Sequence, residues 1–521
     1  MKVAVEGCCH GELDSIYNEI ARLEQQNKYK VDLLLICGDF QAVRNHQDLQ
    51  CMAVPDKYKK LGEFHKWVSL FVLRGRGRMK IPRYYTGDKT APVLTVFIGG
   101  NHEASNYLWE LYHGGWAAPN IYYLGHAGCV QVNGVRIAGA SGIFKGHDFR
   151  QGHHEHLPYD KGSLRSAYHI REFNVRRLSL LSSPTVFLSH DWPASITRHG
   201  NQAELLRRKP FFKDDVFSGK LGSPPMMGLL RTLKPAWWFS AHLHCRFEAS
   251  VVHERQEGGV KVVNPDEIVI DEDEDMGGTV GGEGVKEEKE QKVPVNPDEI
   301  TLSDEEEDVV VPPRPATPPP APKVTKFLAL DKCLPRRQYL EIIDIPTPDL
   351  FNPSRPTIAF DPEWLAITRA FQPYLSLSSS QPAFPDEPTA RQRVAEEMAW
   401  VRENVYGGEG SEKEKRVGEV QKFVMSAPGP TKGEDRRRMP PFYPNPQTAA
   451  FCNLLDIENK IDAGASPART VPVQAQMNAE EAAALRAQLT CPMASALDAI
   501  EAAGVEQQLT GSAGVEQQQR L

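Results

Sequence analysis

Five short clusters of side chains that can bind metal lie in the first half of this chain of 521 residues. They are Cys8-Cys9-His10, Gly38-Asp39, Gly100-Asn101-His102-Glu103, His190 and His242-Leu243-His244. Each cluster follows an apolar run of strand length, and in open α/β sheets the loops after strands converge to form the site. Imidazole, carboxylate, amide and thiolate groups together suit borderline ions such as zinc, iron and manganese. The order of the clusters therefore predicts a metal centre.

The strands that must position these clusters are short and almost continuously apolar, as expected for strands buried on both faces. Between the first two strands, apolar residues recur at helical spacing from Leu13 to Leu23, which predicts a βαβ opening. Asn133-Gly134 separates two further runs and suits a type I′ hairpin turn. We therefore predict an α/β fold of the α+β type, a mixed β-sandwich flanked by helices with a smaller C-terminal domain. The predicted strands are 2–6, 31–37, 93–98, 185–189 and 236–240.

Charge is distributed unevenly along the chain. Residues 1–250 contain 32 Lys and Arg against 22 Asp and Glu, whereas the remainder contains 28 against 46. Fifteen of the 16 histidines also precede residue 251. A basic, histidine-rich half suggests a metal-using domain that acts on an anionic substrate.

Composition predicts four regions. Residues 1–250 form a catalytic domain, and residues 251–325 form an acidic, proline-rich linker that buries too little apolar surface to fold. Residues 326–460 form a C-terminal domain, and residues 461–521 form an unstructured or transiently helical tail rich in Ala and Gln. No apolar run reaches the roughly 20 residues that span a bilayer. Nine cysteines without a framework spacing predict reduced thiols.

The five clusters resemble the pattern of the calcineurin-like metallophosphoesterases, whose β-sandwich fold this resemblance implies. It also implies two divalent ions, Fe²⁺, Zn²⁺ or Mn²⁺, which can clamp a phosphate and activate a water. His102 would stabilise or protonate the leaving oxygen, and Asp39 would bridge the two ions. By position, the first ion would be held by Cys8, His10, Asp39 and His244, and the second by Asp39, Asn101, His190 and His242.

Cys8 replaces the first Asp of that pattern and points to one subfamily. The stretches 8–14, 37–45, 99–106, 141–145, 165–169 and 326–337 are similar to motifs of the lariat debranching enzymes. That resemblance implies hydrolysis of the 2′-5′ phosphodiester at the branch nucleotide of an excised intron lariat RNA. It also implies a role in mRNA processing in the nucleus, with a cytoplasmic fraction and spliceosome-associated proteins as candidate partners.

Three groups outside the metal clusters are candidates for RNA contact, with a solvated charged surface as the alternative. Lys57 and Tyr58 combine a cation with an aromatic ring that can stack on a base. A basic group follows at residues 74–80. The resemblance implies that the region from 140 to 170 forms a wall over the branch site, with substrate contacts from Ser141, Phe144, Lys145, Arg165 and Tyr168. Five histidines in this region, 147, 153, 154, 156 and 169, are not expected to bind metal.

Two other functions are open to the same scaffold. A phosphoprotein or small-nucleotide phosphatase would use the same metals, and a non-catalytic scaffold would keep only the fold. Motifs matched in both domains favour debranching over the first, and the complete ligand set argues against the second. Within the C-terminal motif, Asp331, Lys332, Arg336 and Arg337 are expected to dock that domain on the catalytic one.

Overall fold

The computed structural model describes residues 1–65, 84–254, 322–348, 356–408, 414–430 and 435–462. The basic group at 74–80, the tail and most of the predicted linker lie outside the described residues. Thirteen strands are present in the described part of the chain: β1 Lys2–Glu6, β2 Leu33–Ile36, β3 Leu94–Phe97, β4 Gly115–Ala118, β5 Ile121–Tyr123, β6 Ala127–Val132, β7 Val135–Ala140, β8 Val186–Ser189, β9 Trp237–Ser240, β10 Phe247–Val252, β11 Val324–Ala329, β12 Leu340–Asp344 and β13 Ile358–Phe360.

The α-helices of the described residues lie on the outer faces of the sheets and in the connections. They are α1 Leu13–Asn27, α2 Ser105–Glu110, α3 Gly146–Phe149, α4 Ser163–Ser166, α5 Glu172–Ser179, α6 Gln202–Arg208, α7 Lys213–Phe217, α8 Pro224–Leu233, α9 Pro362–Phe371, α10 Glu387–Asn404, α11 Val417–Val420 and α12 Pro446–Leu454. No helix in the described part of the chain is long and apolar enough to cross a membrane.

Two mixed sheets form a sandwich with helices outside it. One sheet has the order β12-β1-β2-β3-β5-β4, and the other has the order β10-β11-β9-β8-β7-β6-β13. The apolar core between them includes Val5 and Leu35 of the first sheet and Leu188 and Phe239 of the second. The outer faces have their own cores, because strands buried on both sides carry apolar residues in both directions. The predicted fold class is confirmed.

The predicted strands and hairpin agree closely with the structure. β1 has the expected bounds, and the other four predicted strands are one to three residues shorter than expected. Asn133 and Gly134 have φ of 49° and 73°, the positive values that a type I′ turn requires. The sequence reading did not identify β4, β5, β13 or α10, because short strands and a mostly exposed helix carry little periodicity.

The C-terminal part of the chain completes both sheets. β12 pairs antiparallel with β1, β11 lies between β9 and β10, and β13 pairs with β6. Asp361 caps α9 by accepting from Trp364 N–H, and it also accepts from Arg136 of β7 at 2.7 Å. The boundaries drawn at 250/251 and 325/326 therefore cut strands: β10 extends to Val252 and β11 begins at Val324. The end of β10 and the start of β11 are set by pairing with neighbouring strands, which composition alone does not predict.

Candidate metal centre

The loops that follow the strands bring the predicted ligands to one edge of the sandwich, and their backbone is strained there. Left-handed backbone is uncommon in residues other than glycine and concentrates at functional sites, where the surrounding structure must hold it. Four of the predicted ligands have this conformation: His10 at φ 48°, Asp39 at 48°, His242 at 58° and His244 at 49°.

The first predicted ligand set is assembled as one group. Ligand atoms of Cys8, His10, Asp39 and His244 all lie within 4.8 Å of one another. The Nε2 atoms of His10 and His244 are 3.4 Å apart, and His10 Nε2 is 3.7 Å from Asp39 Oδ2. Sulfur, imidazole and carboxylate donors on one small volume have the chemistry that a borderline divalent ion prefers. We call these four residues the Cys8 half-site.

The second predicted set surrounds a fully buried imidazole. His190 Nε2 is 3.2 Å from Asn101 Oδ1 and 3.4 Å from Asp39 Oδ1, and the rings of His190 and His242 are 5.0 Å apart between centroids. His190 Nδ1 donates to the Cys37 carbonyl at 2.7 Å, so Nε2 presents its lone pair to the site. Burial lowers the pKa of His190 to about 4, which keeps the ring in its neutral, ligating form. Asp39, Asn101, His190 and His242 are the His190 half-site.

Asp39 faces both half-sites with different oxygens. Oδ1 approaches His190 and accepts from the backbone N–H of His102 at 2.9 Å, whereas Oδ2 is the oxygen nearest His10. Burial raises the pKa of Asp39, but electrostatic interaction with the surrounding histidines, His190 first, and a hydrogen bond from the His102 side chain outweigh it and keep the pKa well below the usual range. Asp39 is therefore an ionised carboxylate shared by the two sets, as a bridging ligand must be.

Cys8 is fully buried and needs a cation to become a thiolate. Burial and the charge of Asp39 raise its pKa well above the usual value, although the backbone N–H of His242 donates to its sulfur at 3.2 Å. A coordinated ion removes the thiol proton and reverses this penalty. The environment of Cys8 thus fits a metal ligand. All eight described cysteines are free thiols, in agreement with the sequence prediction.

His102 lies at the rim of the centre with about a third of its side chain exposed, and its Nδ1 is 3.2 Å from Asp39 Oδ2. Burial lowers the pKa of His102, but the hydrogen bond to Asp39 and its charge outweigh burial and raise it above the usual value. With Nδ1 directed at Asp39, Nε2 is the ring nitrogen available to a substrate. A partly exposed, readily protonated imidazole can donate a proton to a leaving oxygen.

Two buried carboxylates near the centre, Glu103 and Glu6, have positions to which the sequence analysis assigned no role. Glu103 accepts from the backbone N–H groups of Phe40, Gln41 and Gly100 at 2.8 to 3.0 Å, which fixes the Asp39 loop to the Asn101 loop. Glu6, the last residue of β1, is fully buried, and its carboxyl oxygens find no hydrogen-bond partner among the described residues. The sequence feature that could have identified Glu6 is a charged residue at the end of a mainly apolar strand.

The region from 140 to 170 lies beside the centre. The Ser141 hydroxyl accepts from Gly99 N–H at 2.9 Å, and the backbone of Ile143 pairs with that of Tyr168 at 3.3 Å. Burial raises the pKa of the Tyr168 hydroxyl. A cavity of about 20 Å³ lies in this region, lined by Gly100, Glu103, His126, Ser141, Tyr168 and their neighbours.

The remaining predicted contacts lie farther out. Lys145 and Arg165 are exposed on this region's surface, and Phe144 is half-buried. Lys57 and Tyr58 are exposed as well, and they contact each other, with the ammonium 4.9 Å from the ring centroid. Their role as substrate contacts stays a prediction, as do the roles of the wall residues.

Three of the five histidines of this region contact protein side chains. His147 and His169 both hydrogen-bond to Asp148, at 2.8 Å and 2.5 Å, and buried His153 lies 3.2 Å from the Tyr112 hydroxyl. Among the described residues, the Cys8 half-site is the group in which the ligand atoms of at least three His, Cys, Asp or Glu residues all lie within 4.8 Å of one another.

The C-terminal motif contacts the Cys8 half-site directly. Cys8 N–H donates to the Asp331 carbonyl at 3.3 Å, and Cys333 N–H donates to the Cys8 carbonyl at 3.1 Å. Arg337 forms an ion pair with Asp331 at 3.2 Å. A docking role was expected for this motif, and the backbone contacts place it beside the first ligand.

Comparisons with known proteins match both parts of the chain. A family model described as calcineurin-like phosphoesterase matches residues 1–246, and one described as lariat debranching enzyme, C-terminal domain, matches residues 322–460. The lariat debranching enzyme of Drosophila pseudoobscura pseudoobscura is 42% identical over 468 residues, covering 88% of this chain and 78% of the relative. That of Schizosaccharomyces pombe is 39% identical over 485 residues, covering 88% and 96%. That of Arabidopsis thaliana is 38% identical over 464 residues, covering 89% and 88%.

Proposed function

This chain belongs to the lariat debranching enzyme family, and from that premise we propose how it hydrolyses the 2′-5′ phosphodiester at the branch nucleotide of an excised intron lariat. One observation carries the proposal: a single buried carboxylate, Asp39, faces the Cys8 half-site with one oxygen and the His190 half-site with the other. Such a shared ligand is the geometry that a two-metal phosphodiesterase requires.

We assign seven metal ligands and two divalent ions to this centre. When bound, the ions supply Lewis-acid chemistry and lower the pKa of an attacking water. The ions proposed are Fe²⁺, Zn²⁺ or Mn²⁺, and the sulfur of Cys8 favours the first two because Mn²⁺ prefers oxygen donors. The ligands are Cys8, His10, Asp39, Asn101, His190, His242 and His244.

The residues around the ligands have separate proposed roles in proton transfer, loop positioning and RNA contact. His102 presents Nε2 to the substrate and donates a proton to the leaving 2′-oxygen, because Asp39 holds its Nδ1 side and raises its pKa. Glu103 keeps the two ligand loops in register through three backbone hydrogen bonds. Ser141, Phe144, Lys145, Arg165 and Tyr168 form the wall that contacts the RNA near the branch, with Lys57 and Tyr58 as outlying contacts.

A nuclear location, with a cytoplasmic fraction, follows from the substrate, because excised lariats arise where introns are spliced. Contact with spliceosome-associated proteins is proposed on the same ground. Fluorescence imaging of the tagged chain tests the location directly. Exclusion from the nucleus would contradict it.

The experiment that tests the function compares four substrates for the purified protein. They are a synthetic 2′-5′ branched RNA, an all-3′-5′ RNA of the same sequence, a phosphopeptide and a nucleoside monophosphate. We expect cleavage of the branched RNA alone, at the 2′-5′ bond, and none after chelation of divalent ions. Efficient hydrolysis of the phosphopeptide or the nucleotide with the branch left uncut would support the alternative phosphatase function instead.

A further inference from the structure

Lys332 is held next to a proposed metal ligand by backbone pairing. Cys8 and Lys332 form a parallel β-bridge, made by Cys8 N–H donating to Asp331 O and Cys333 N–H donating to Cys8 O. Residues paired across a bridge have neighbouring Cβ atoms and side chains on the same face. The Lys332 side chain therefore leaves the backbone on the side of the Cys8 sulfur.

The burial of the neighbouring residues gives the same direction. Leu328, Leu330 and Cys8 belong to the core between the two sheets, whereas Cys333 and Cys9 belong to the core on the outer face of the first sheet. Alternation along the chain thus directs Lys332 inward with Leu330, and Cys333 outward with Cys9. Beyond Leu330 the inner face opens into the metal centre, and Lys332 is only partly buried there.

Among the residues that the structure describes, the Lys332 ammonium forms no hydrogen bond or ion pair, and its backbone N–H donates to the Asp331 carboxylate at 2.8 Å.

Lys332 is a cation without an acidic partner, and the proposed centre beside it holds further cations. Their mutual repulsion raises the electrostatic free energy of the site when no substrate is bound. An anion that enters the site reverses this effect, so the arrangement favours binding of a negatively charged substrate. Lysine binds phosphate as a point charge, and each charge-assisted hydrogen bond strengthens the contact. The RNA phosphates at the branch are the anions that the reaction brings to this position.

We propose that Lys332 is a substrate-binding residue: the C-terminal segment contributes its ammonium to the metal centre, where it binds a phosphate of the RNA at the branch. The proposal rests on the debranching function above and adds a role for the C-terminal segment beyond docking. It explains why the motif that contains Lys332 runs along the first ligand and not along a distant surface.

The test compares Lys332→Met with Lys332→Arg and with Arg336→Met. Arg336 is an exposed cation of the same loop and serves as the matched control. Values of kcat/KM for the 2′-5′ branched RNA are measured at several salt concentrations. We expect Lys332→Met to lower kcat/KM about 10- to 100-fold, the size of one charge-assisted hydrogen bond. Its salt dependence should lose about one unit of slope, as for one phosphate contact.

The control variants should behave differently. Lys332→Arg should recover most of the activity because it keeps the charge, and Arg336→Met should remain within about 3-fold of wild type, as expected for an exposed rim charge. Binding of the branched RNA in chelator, measured by fluorescence anisotropy, gives a readout independent of the metals and should weaken for Lys332→Met. Thermal midpoints are recorded for every variant.

A different result would assign Lys332 to docking alone. In that case Lys332→Met would lower the thermal midpoint and leave kcat/KM, the salt slope and RNA binding unchanged. If Lys332→Met does not fold, Lys332→Gln removes the charge while keeping a polar end, and the same outcomes apply to it. Failure of the wild-type protein to cut the branched RNA would contradict the proposed function itself, whatever the behaviour of Lys332.

Discussion

The two half-sites share Asp39 but differ in what holds their central ligand. His190 has no exposed surface, and its ring donates a hydrogen bond to the Cys37 carbonyl within the catalytic sandwich. Cys8 is equally buried, but its backbone is paired with the C-terminal segment. Each half-site also has two partly exposed ligands, Asn101 and His242 in the one and His10 and His244 in the other. The Cys8 half-site therefore depends on a segment more than 300 residues away in the chain.

This difference suggests a division of tasks. The His190 half-site is positioned by the fold of residues 1–246, the part that matches the general phosphoesterase family. The Cys8 half-site carries the features particular to this chain, the thiol of Cys8 and the neighbouring C-terminal motif. Specialisation for a branched RNA is thus expected where the second family model, which begins at residue 322, meets the first.

Replacing the shared residue should produce the largest effect. Asp39→Ala removes a ligand from both half-sites, and we expect no measurable debranching and loss of both ions. Single-turnover assays and metal analysis by mass spectrometry measure the two effects. His10→Ala and His242→Ala, one from each half-site, should each lower the rate at least about 100-fold while disturbing metal content less. Near-wild-type turnover of Asp39→Ala would remove the two-metal proposal.

His102 belongs to neither half-site in the proposed assignment. His102→Ala should slow the chemical step about 10²- to 10⁴-fold, the range for a general acid, with metal content close to wild type. Interaction with Asp39 raises the pKa of this imidazole, so His102 stays protonated up to a higher pH than a free histidine. The contribution of His102 to the rate should be fully present below this raised pKa and should be lost as the pH rises through it. Single-turnover rates across pH test this. Loss of metal in the variant would make His102 a ligand instead.

Substitutions of Cys8 test the chemistry of the Cys8 half-site alone. Cys8→Asp should keep part of the activity and shift the metal preference toward Mn²⁺, whereas Cys8→Ser should lose affinity for the first ion. The wild type should be inactivated by thiol oxidants and protected by bound metal, because the thiolate is the reactive form. Metal-free protein is titrated anaerobically with Mn²⁺, Fe²⁺ and Zn²⁺. Identical profiles for wild type and Cys8→Asp would show that Cys8 does not tune the site.

Substitution of Gly7 tests whether the C-terminal segment supports the Cys8 half-site. A Cβ at Gly7 would lie 2.1 Å from the Asp331 carbonyl oxygen, so Gly7→Ala must push the segment away from Cys8. We expect a loss of about 1–3 kcal/mol in the free energy of unfolding, typical of overpacking, and weaker binding of one ion. Chemical denaturation and metal titration measure these effects.

Gly228 provides the control for that prediction. It lies in α8, and a Cβ there meets nothing within 4 Å, so Gly228→Ala should stabilise the protein by about 0.5–1 kcal/mol and leave both ions bound. Equal metal binding in the two variants would show that the C-terminal segment does not support the Cys8 half-site.

The sequence determined the local parts of this protein. Apolar runs gave the central strands, Asn133-Gly134 gave the hairpin, and the clusters after the strands gave the residues that the fold brings together. These features depend on periodicity and on backbone preferences within a few residues, which any short segment carries by itself. The resemblance of the motifs gave the family, which the relatives confirm.

Only the tertiary structure decided how distant segments meet. The pairing of Cys8 with Lys332 and the position of the Glu103 carboxyl between two ligand loops both depend on contacts between remote residues. The short strands β4, β5 and β13 form for the same reason, since a strand edge is stabilised by its neighbour more than by its own residues. Contacts of this kind leave no periodic signal in the chain, and they appear only when both sheets have closed around the centre.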